Sequence, residues 1–251
     1  MNILRLPLVF ASILTGLCSV TSTLTAADQS NAFIKALKNR DFNSVNSMIE
    51  QIEDVDVRMD DGRTALMLVS KHGRSNIAQN LLRAGANVNA KNNNGGTALM
   101  YAAIQSDAKT PKLLLAHGAQ VNETAKFGWT ALMVASAKGH AKIVELLIDY
   151  GADVNSKDVY QWTALMRSSF AGHQDTVKVL LKSGKCDIDA VDENGATALH
   201  HASANGHEQI VLQLIRSGIS IDARDNFGHD AAYRANQNQH QLIVEILTGS
   251  S

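Results

Sequence analysis

The chain has 251 residues, of which 45% are hydrophobic, 19% charged and only 5% aromatic, so it has globular composition with a core expected to pack mainly small aliphatic side chains. Its formal net charge of −1 supplies no basic field, which excludes a general attraction to nucleic acid or to an anionic membrane surface.

The first 27 residues read as an export signal. Arg5 gives the start a positive charge, residues 6–20 are mostly apolar, and Thr25, Ala26 and Ala27 offer small side chains for cleavage before Asp28. The apolar run contains Pro7 and Gly16 and is shorter than the ~20 residues of a membrane span. A periplasmic or secreted mature chain without stable membrane insertion is expected. Leu17 precedes Cys18 where a lipoprotein signal wants a small residue, which argues against lipidation. Cleavage after Ala27 leaves Cys186 as the only thiol, so no internal disulfide is expected even in an oxidising compartment. The glycosylation sequon at Asn122, Glu123 and Thr124 reads as a chance occurrence.

From residue 28 onward the chain is periodic and forms one domain. Thr64, Thr97, Thr130 and Thr163 fall 33 residues apart, Thr197 follows after 34, and Asp230 takes the same place 33 later. Such a period signifies stacked supersecondary units. Residues 31–59 lack the Thr-Ala-Leu signature but keep helical spacing in Phe33, Ile34 and Leu37, then Val45, Met48 and Ile49, as an end unit should. Six further units begin near Met59, Asn92, Ala125, Asp158, Asp192 and Asp225, the last with the polar surface of a C-terminal cap.

The fourth unit carries the physical logic. Thr130 is placed to cap a helix that starts at Ala131. Leu132 and Ala135 share one face of it, and Gly139 ends it. A second helix follows with Ile143, Val144, Leu146 and Leu147 as its apolar stripe, closed by Gly151. Two short antiparallel helices and a projecting turn make one repeat.

These residues closely resemble the ankyrin repeat, whose motif runs D-x-x-G-x-T-P-L-H-x-A-A-x-x-G-H and on through V-x-L-L-L-x-x-G-A-D-V-N. The resemblance covers nearly all of the chain after the signal and implies an all-α repeat solenoid of about seven helix-turn-helix units with short hairpin turns. It points to an exported bacterial member of that family. Ala stands for Pro in every Thr-Pro-Leu, a change the first helical turn tolerates. Three departures carry more information. Pro111 falls inside the expected second helix of the third unit, so Thr110 is expected to cap a shortened helix. An extra residue near Cys186 explains the 34-residue step. Gln161 stands where Gly62, Gly95, Gly128, Gly195 and Gly228 stand, a place expected to need positive φ.

The candidate chemistry is thin. His140, His173, His207 and His240 recur at one repeat position, and the resemblance makes them structural, the imidazole hydrogen-bonding between units. Units stack about 10 Å apart, too far for such histidines to share an ion held at ~2 Å. A small-ligand or metal sensor built from His200, His201 and His207 is the alternative. No nucleophile elbow, H-E-x-x-H motif, phosphate loop or pair of metal-spaced cysteines occurs, so no catalytic residue, metal site or cofactor is assigned and no enzyme is expected.

What remains is a surface. The resemblance implies that partners are gripped by the turn tips and by the exposed side of each first helix. At those positions the second and third units are mainly polar, whereas the fourth offers Lys126, Phe127, Trp129 and Lys138 and the fifth offers Tyr160, Trp162 and Phe170. Both tryptophans and five of the twelve aromatics lie here, so these seven residues form the candidate partner-binding site. The bland reading is that Trp129 and Trp162 merely stack on each other and on the hairpin stems. The expected protein is thus a monomeric, non-catalytic binding module, with the protection or inhibition of an exported enzyme or toxin as its most concrete form, drawn by analogy.

Overall fold

The computed structural model describes residues 25–249. Residues 1–24, with most of the expected export signal, lie outside the described residues. Fourteen α-helices and one 3-10 turn follow in pairs: α1 (Ala26–Lys38) and α2 (Phe42–Met48), α3 (Ala65–Lys71) and α4 (Ser75–Arg83), α5 (Ala98–Ala102) and α6 (Lys109–Ala116), α7 (Ala131–Ala137) and α8 (Ala141–Asp149), α9 (Ala164–Phe170) and α10 (Gln174–Lys182), α11 (Ala198–Ala204) and α12 (Glu208–Arg216), α13 (Ala231–Gln237) and α14 (Gln241–Thr248). No strand occurs among the described residues. Each first helix packs on its own second helix, and the first helices from α3 to α13 form a continuous inner row. The array is an all-α solenoid.

The threonines do what their position demands. Thr64, Thr97, Thr130 and Thr163 each accept from the backbone N–H three residues on, and Asp230 does the same for Tyr233 at 2.8 Å. In the sixth unit the partners exchange roles, the backbone N–H of Thr197 donating to His200 Nδ1 at 3.1 Å. A single core runs from Phe33 to Ile243 and contains small aliphatic side chains in nearly every layer.

Turn tips join the units by a second ladder. The N–H groups of Asn93, Lys126, Val159, Glu193 and Asn226 donate to the carbonyls of Asp61, Asn94, Phe127, Tyr160 and Asn194, one unit back in each case, at 2.7–3.1 Å. The tips therefore form one continuous rim rather than separate loops. Gln161 has φ 61, as its place in the series demands, and strain of about 1–2 kcal/mol is held there.

Three expectations need correction. In α8 the buried stripe is Ile143, Val144, Leu147 and Ile148, with Leu146 only partly covered. Thr110 does not cap α6: the helix starts at Lys109, the cap is Ala108, and the buried Thr110 hydroxyl has no hydrogen-bond partner. Pro111 sits in the first turn, where a backbone N–H has no partner within the helix, so the missing donor costs nothing. Last, the C-terminal unit is not uniformly polar, because Phe227, Tyr233 and Leu242 are exposed beside its asparagines and glutamines.

Candidate functional site on the concave face

In the third, fifth, sixth and seventh units a pair of polar positions nine residues apart governs the inner surface, whereas the second unit has the buried Met59 and Leu68 at these places. The first position opens the turn, and the second lies on the inner helix. In the fifth unit the buried Asp158 takes the N–H groups of Tyr160 and Trp162 on Oδ1 at 2.9 and 3.0 Å, and its Oδ2 pairs with Arg167. Asp192 holds Asn194 and Ala196 in the same way and accepts from His201 Nε2 at 2.9 Å. Asp225 holds Phe227 and His229 and pairs with Arg234. In the third unit Asn92 is the neutral version, accepting from Asn94 and Gly96 while its amide donates to the Tyr101 hydroxyl at 2.8 Å.

The fourth unit breaks the series. Ala125 and Val134 occupy the two places, so the turn has no side-chain acceptor and the helix no long polar side chain to reach it. Without that acceptor the tip tightens into a 3-10 turn over Lys126–Gly128, and Phe127 takes φ 65 and ψ 15. Left-handed backbone at a bulky aromatic is uncommon and collects at working surfaces. Phe127 itself is 52% exposed, with the Lys126 ammonium 5.2 Å from its ring centre.

The missing bulk leaves a cavity of about 400 Å³ between the third and fourth units, walled by Met100, Tyr101, Ile104, Phe127, Trp129 and Val134. One unit on, the equivalent space is full. Arg167 places its guanidinium carbon 4.5 Å from Trp129 and 4.6 Å from Trp162, so the cation lies between the two indoles. Trp162 then packs at a tilt against His201, ring centres 4.1 Å apart, and meets Phe170 edge-on at 5.5 Å.

The seven expected partner-binding residues thus divide. Trp129, Trp162 and Phe170 are brought into one cluster, Trp129 joined to Trp162 through Arg167 and His201 packed against Trp162 and Phe170, two residues that the sequence reading left out. The indoles do not stack on each other, and neither is fully buried. Trp162 packs against the core with both flanking groups in place, so it is chiefly a structural residue, whereas Trp129 also lines the cavity. Phe127 and Lys126 form the cavity's lip. Tyr160, 48% exposed, and Lys138, also exposed, stand outside the stack. The third unit, expected to be mainly polar, supplies Met100, Tyr101 and Ile104 to the cavity wall.

The histidines have other work. Nε2 of His140, His173 and His207 lies 2.9–3.1 Å from the carbonyls of Ile104, Ala137 and Phe170 in the preceding unit, which ties neighbouring loops together. His200 is buried between Thr197 and the His229 carbonyl, and burial pushes its pKa below the usual histidine range. With His201 on Asp192 and His207 on Phe170, the three face three different partners. Among the described residues no three His, Cys, Asp or Glu side chains converge on a point where a metal ion would sit.

Electrostatics makes the Asp225 carboxylate acid-sensitive. Burial alone would raise the Asp225 carboxyl, but the hydrogen bond from Arg234 and the N–H groups of His229 and Phe227 outweigh it and hold the pKa at about 2. A carboxyl depressed in this way contributes stability that is complete above its unfolded value near 3.9 and is lost as pH falls toward 2. Urea unfolding followed by circular dichroism between pH 5 and 2 should therefore show a shallower acid loss for Asp225→Asn than for the parent, and parallel curves would refute the assignment.

The fold agrees with the comparison to known families. A family model described as ankyrin repeats, in three copies, matches residues 32–125, 112–192 and 181–251. No curated protein matches the chain.

Proposed function

Because the chain belongs to the ankyrin repeat family, whose arrays are generally protein–protein interaction modules, we propose that it is a non-catalytic binding module gripping a protein partner through the concave face of its fourth and fifth units. The observation that carries this reading is the cluster of exposed Phe127 and Phe170 with the half-buried Trp129 along the fourth and fifth units. Rigid aromatic anchors beside a cation are what interface hot spots consist of. The finer version is an exported protector or inhibitor of an enzyme or toxin in the periplasm or outside the cell; its location rests on the export signal expected at residues 1–27 and its protective role on analogy alone. Cleavage after Ala27 would remove the Thr25 side chain that accepts from the Asp28 N–H, yet Phe33 and Leu37 would keep α1 docked.

Trp129→Ala tests the reading better than a change at Trp162, whose loss would also open the core. It is expected to weaken capture of the partner from an envelope extract by roughly 30-fold, the effect of one hot-spot aromatic, with the circular dichroism spectrum unchanged. Phe227→Ala, at a more exposed ring in the last unit, should leave capture as it was. Equal capture by the parent and Trp129→Ala would end the proposal.

A further inference from the structure

The cavity between the third and fourth units exists because two side chains are short. Wherever its sibling units place an aspartate and a cation nine residues apart, that inner space is occupied from within. At Ala125 and Val134 it is left to something else. Its walls state what fits. Tyr101, Phe127 and Trp129 present ring surface, Met100, Ile104 and Val134 complete an apolar lining, and about 400 Å³ is near the small end of ligand pockets.

Charge narrows the choice. A guanidinium entering here would meet no carboxylate of the kind that holds Arg167 or Arg234, and an unpaired cation in an apolar cleft carries a large desolvation cost. A carboxylate among Met100, Ile104 and Val134 would find no cation there, only neutral donors at the edge: the amides of Asn92 and Asn94 and the Tyr101 hydroxyl, whose proton is free because Asn92 is the donor in their hydrogen bond. The buried part of the occupant is therefore uncharged. At the mouth the balance reverses. Among the described residues Lys126 and Lys138 have no carboxylate within ion-pairing distance, and neither does Lys71, whose carbonyl accepts from Gln105 beside Ile104. Of these, Lys126 itself lines the cavity, its ammonium beside the Phe127 ring.

We propose that this cavity receives one aromatic side chain of the partner protein, presented on an extended acidic segment whose carboxylates meet Lys126 and its unpaired neighbours. This deepens the binding-module reading above and rests on it. The segment lies along the concave face, its ring against Trp129 on the side opposite Arg167, so the cavity continues the ladder of stacked rings and cations by one more rung. Phe127, held with positive φ at the lip, is the side chain that closes over the guest.

The test uses blocked pentapeptides and the full chain. Acetyl-Glu-Asp-Trp-Asp-Glu-amide is titrated while the Met100 methyl and Trp129 indole N–H resonances are followed by NMR. Saturable shifts are expected, at least about tenfold tighter than for the peptide with lysine flanks, for the one with alanine at its centre, or for N-acetyltryptophanamide. Lys126→Glu should remove most of the preference for acidic flanks without touching the fold. Ala125→Asp with Val134→Arg, which rebuilds the filled arrangement of the fifth unit, should abolish the shifts. If that double variant fails to fold, Ile104→Glu in the half-buried wall takes its place. Absence of saturable shifts, equal binding of the basic peptide or the free amide, or shifts that survive filling of the cavity would each overturn the proposal. Partner capture lost in Trp129→Ala but kept in the filled variant would likewise overturn it while leaving the binding-module reading intact.

Discussion

Asp158→Ala should destabilise the protein by about 3–5 kcal/mol, the range for breaking a buried ion pair from one side. The carboxylate has two tasks at once. It fixes the turn through the Tyr160 and Trp162 N–H groups, and it neutralises a guanidinium that is only 19% exposed and clamped between two indoles. Removing it strands the cation and releases the turn together. Asp158→Ala combined with Arg167→Val should recover most of the loss, because no charge is then left unpaired and the fourth unit already folds with Ala125 and Val134 in those places. Urea unfolding of the four proteins in the cycle measures this, and a coupling energy of at least about 2 kcal/mol is expected. A loss below about 1 kcal/mol for the single variant would mean that Arg167 is held by the rings alone and that the pair is a surface ornament.

The array was legible in the sequence because its determinants are local and repeated. A threonine cap three residues before its donor, a glycine after the first helix in four of the units (Gly73, Gly139, Gly172 and Gly206) and an apolar stripe in the second all lie within one unit, and six copies averaged away the exceptions. Pro111 shows the limit of that reasoning: the proline was correctly seen as a conflict, but the helix resolved it by starting at Lys109, a shift of two residues that no motif encodes. The candidate site was legible only in part. Comparing turn tips found Phe127, Trp129, Trp162 and Phe170, yet it could not say what lay between the rings, because Arg167 and His201 reach the stack from the inner helix. The signal was nonetheless present as three charged pairs at one separation, Asp158 with Arg167, Asp192 with His201 and Asp225 with Arg234. Its failure at Ala125 and Val134 marks the cavity. Tyr101 escaped because an asparagine partner makes the third unit look polar, whereas Asn92 in fact ties up the phenol and leaves its ring facing the gap.

Gly139→Ala is the second large effect. Gly139 has φ 75, and a Cβ there would lie 2.6 Å from Nδ1 and 2.8 Å from Cγ of His173 in the next unit. The imidazole has nowhere convenient to go, since its Nε2 hydrogen-bonds the Ala137 carbonyl at 3.1 Å and its backbone begins α10. The left-handed conformation costs about 1–2 kcal/mol, and displacing the imidazole forfeits its hydrogen bond for about 1 more, so a total near 3 kcal/mol is expected. Gly151→Ala separates the two parts, because Gly151 also has positive φ but nothing lies within 4 Å of its added Cβ. Only the conformational part should appear there. In the His173→Ala background the excess of Gly139→Ala over Gly151→Ala should vanish, which urea unfolding reads directly. An excess that persists would place the strain within the fourth unit rather than between units, and the histidines would then not be what locks one repeat onto the next.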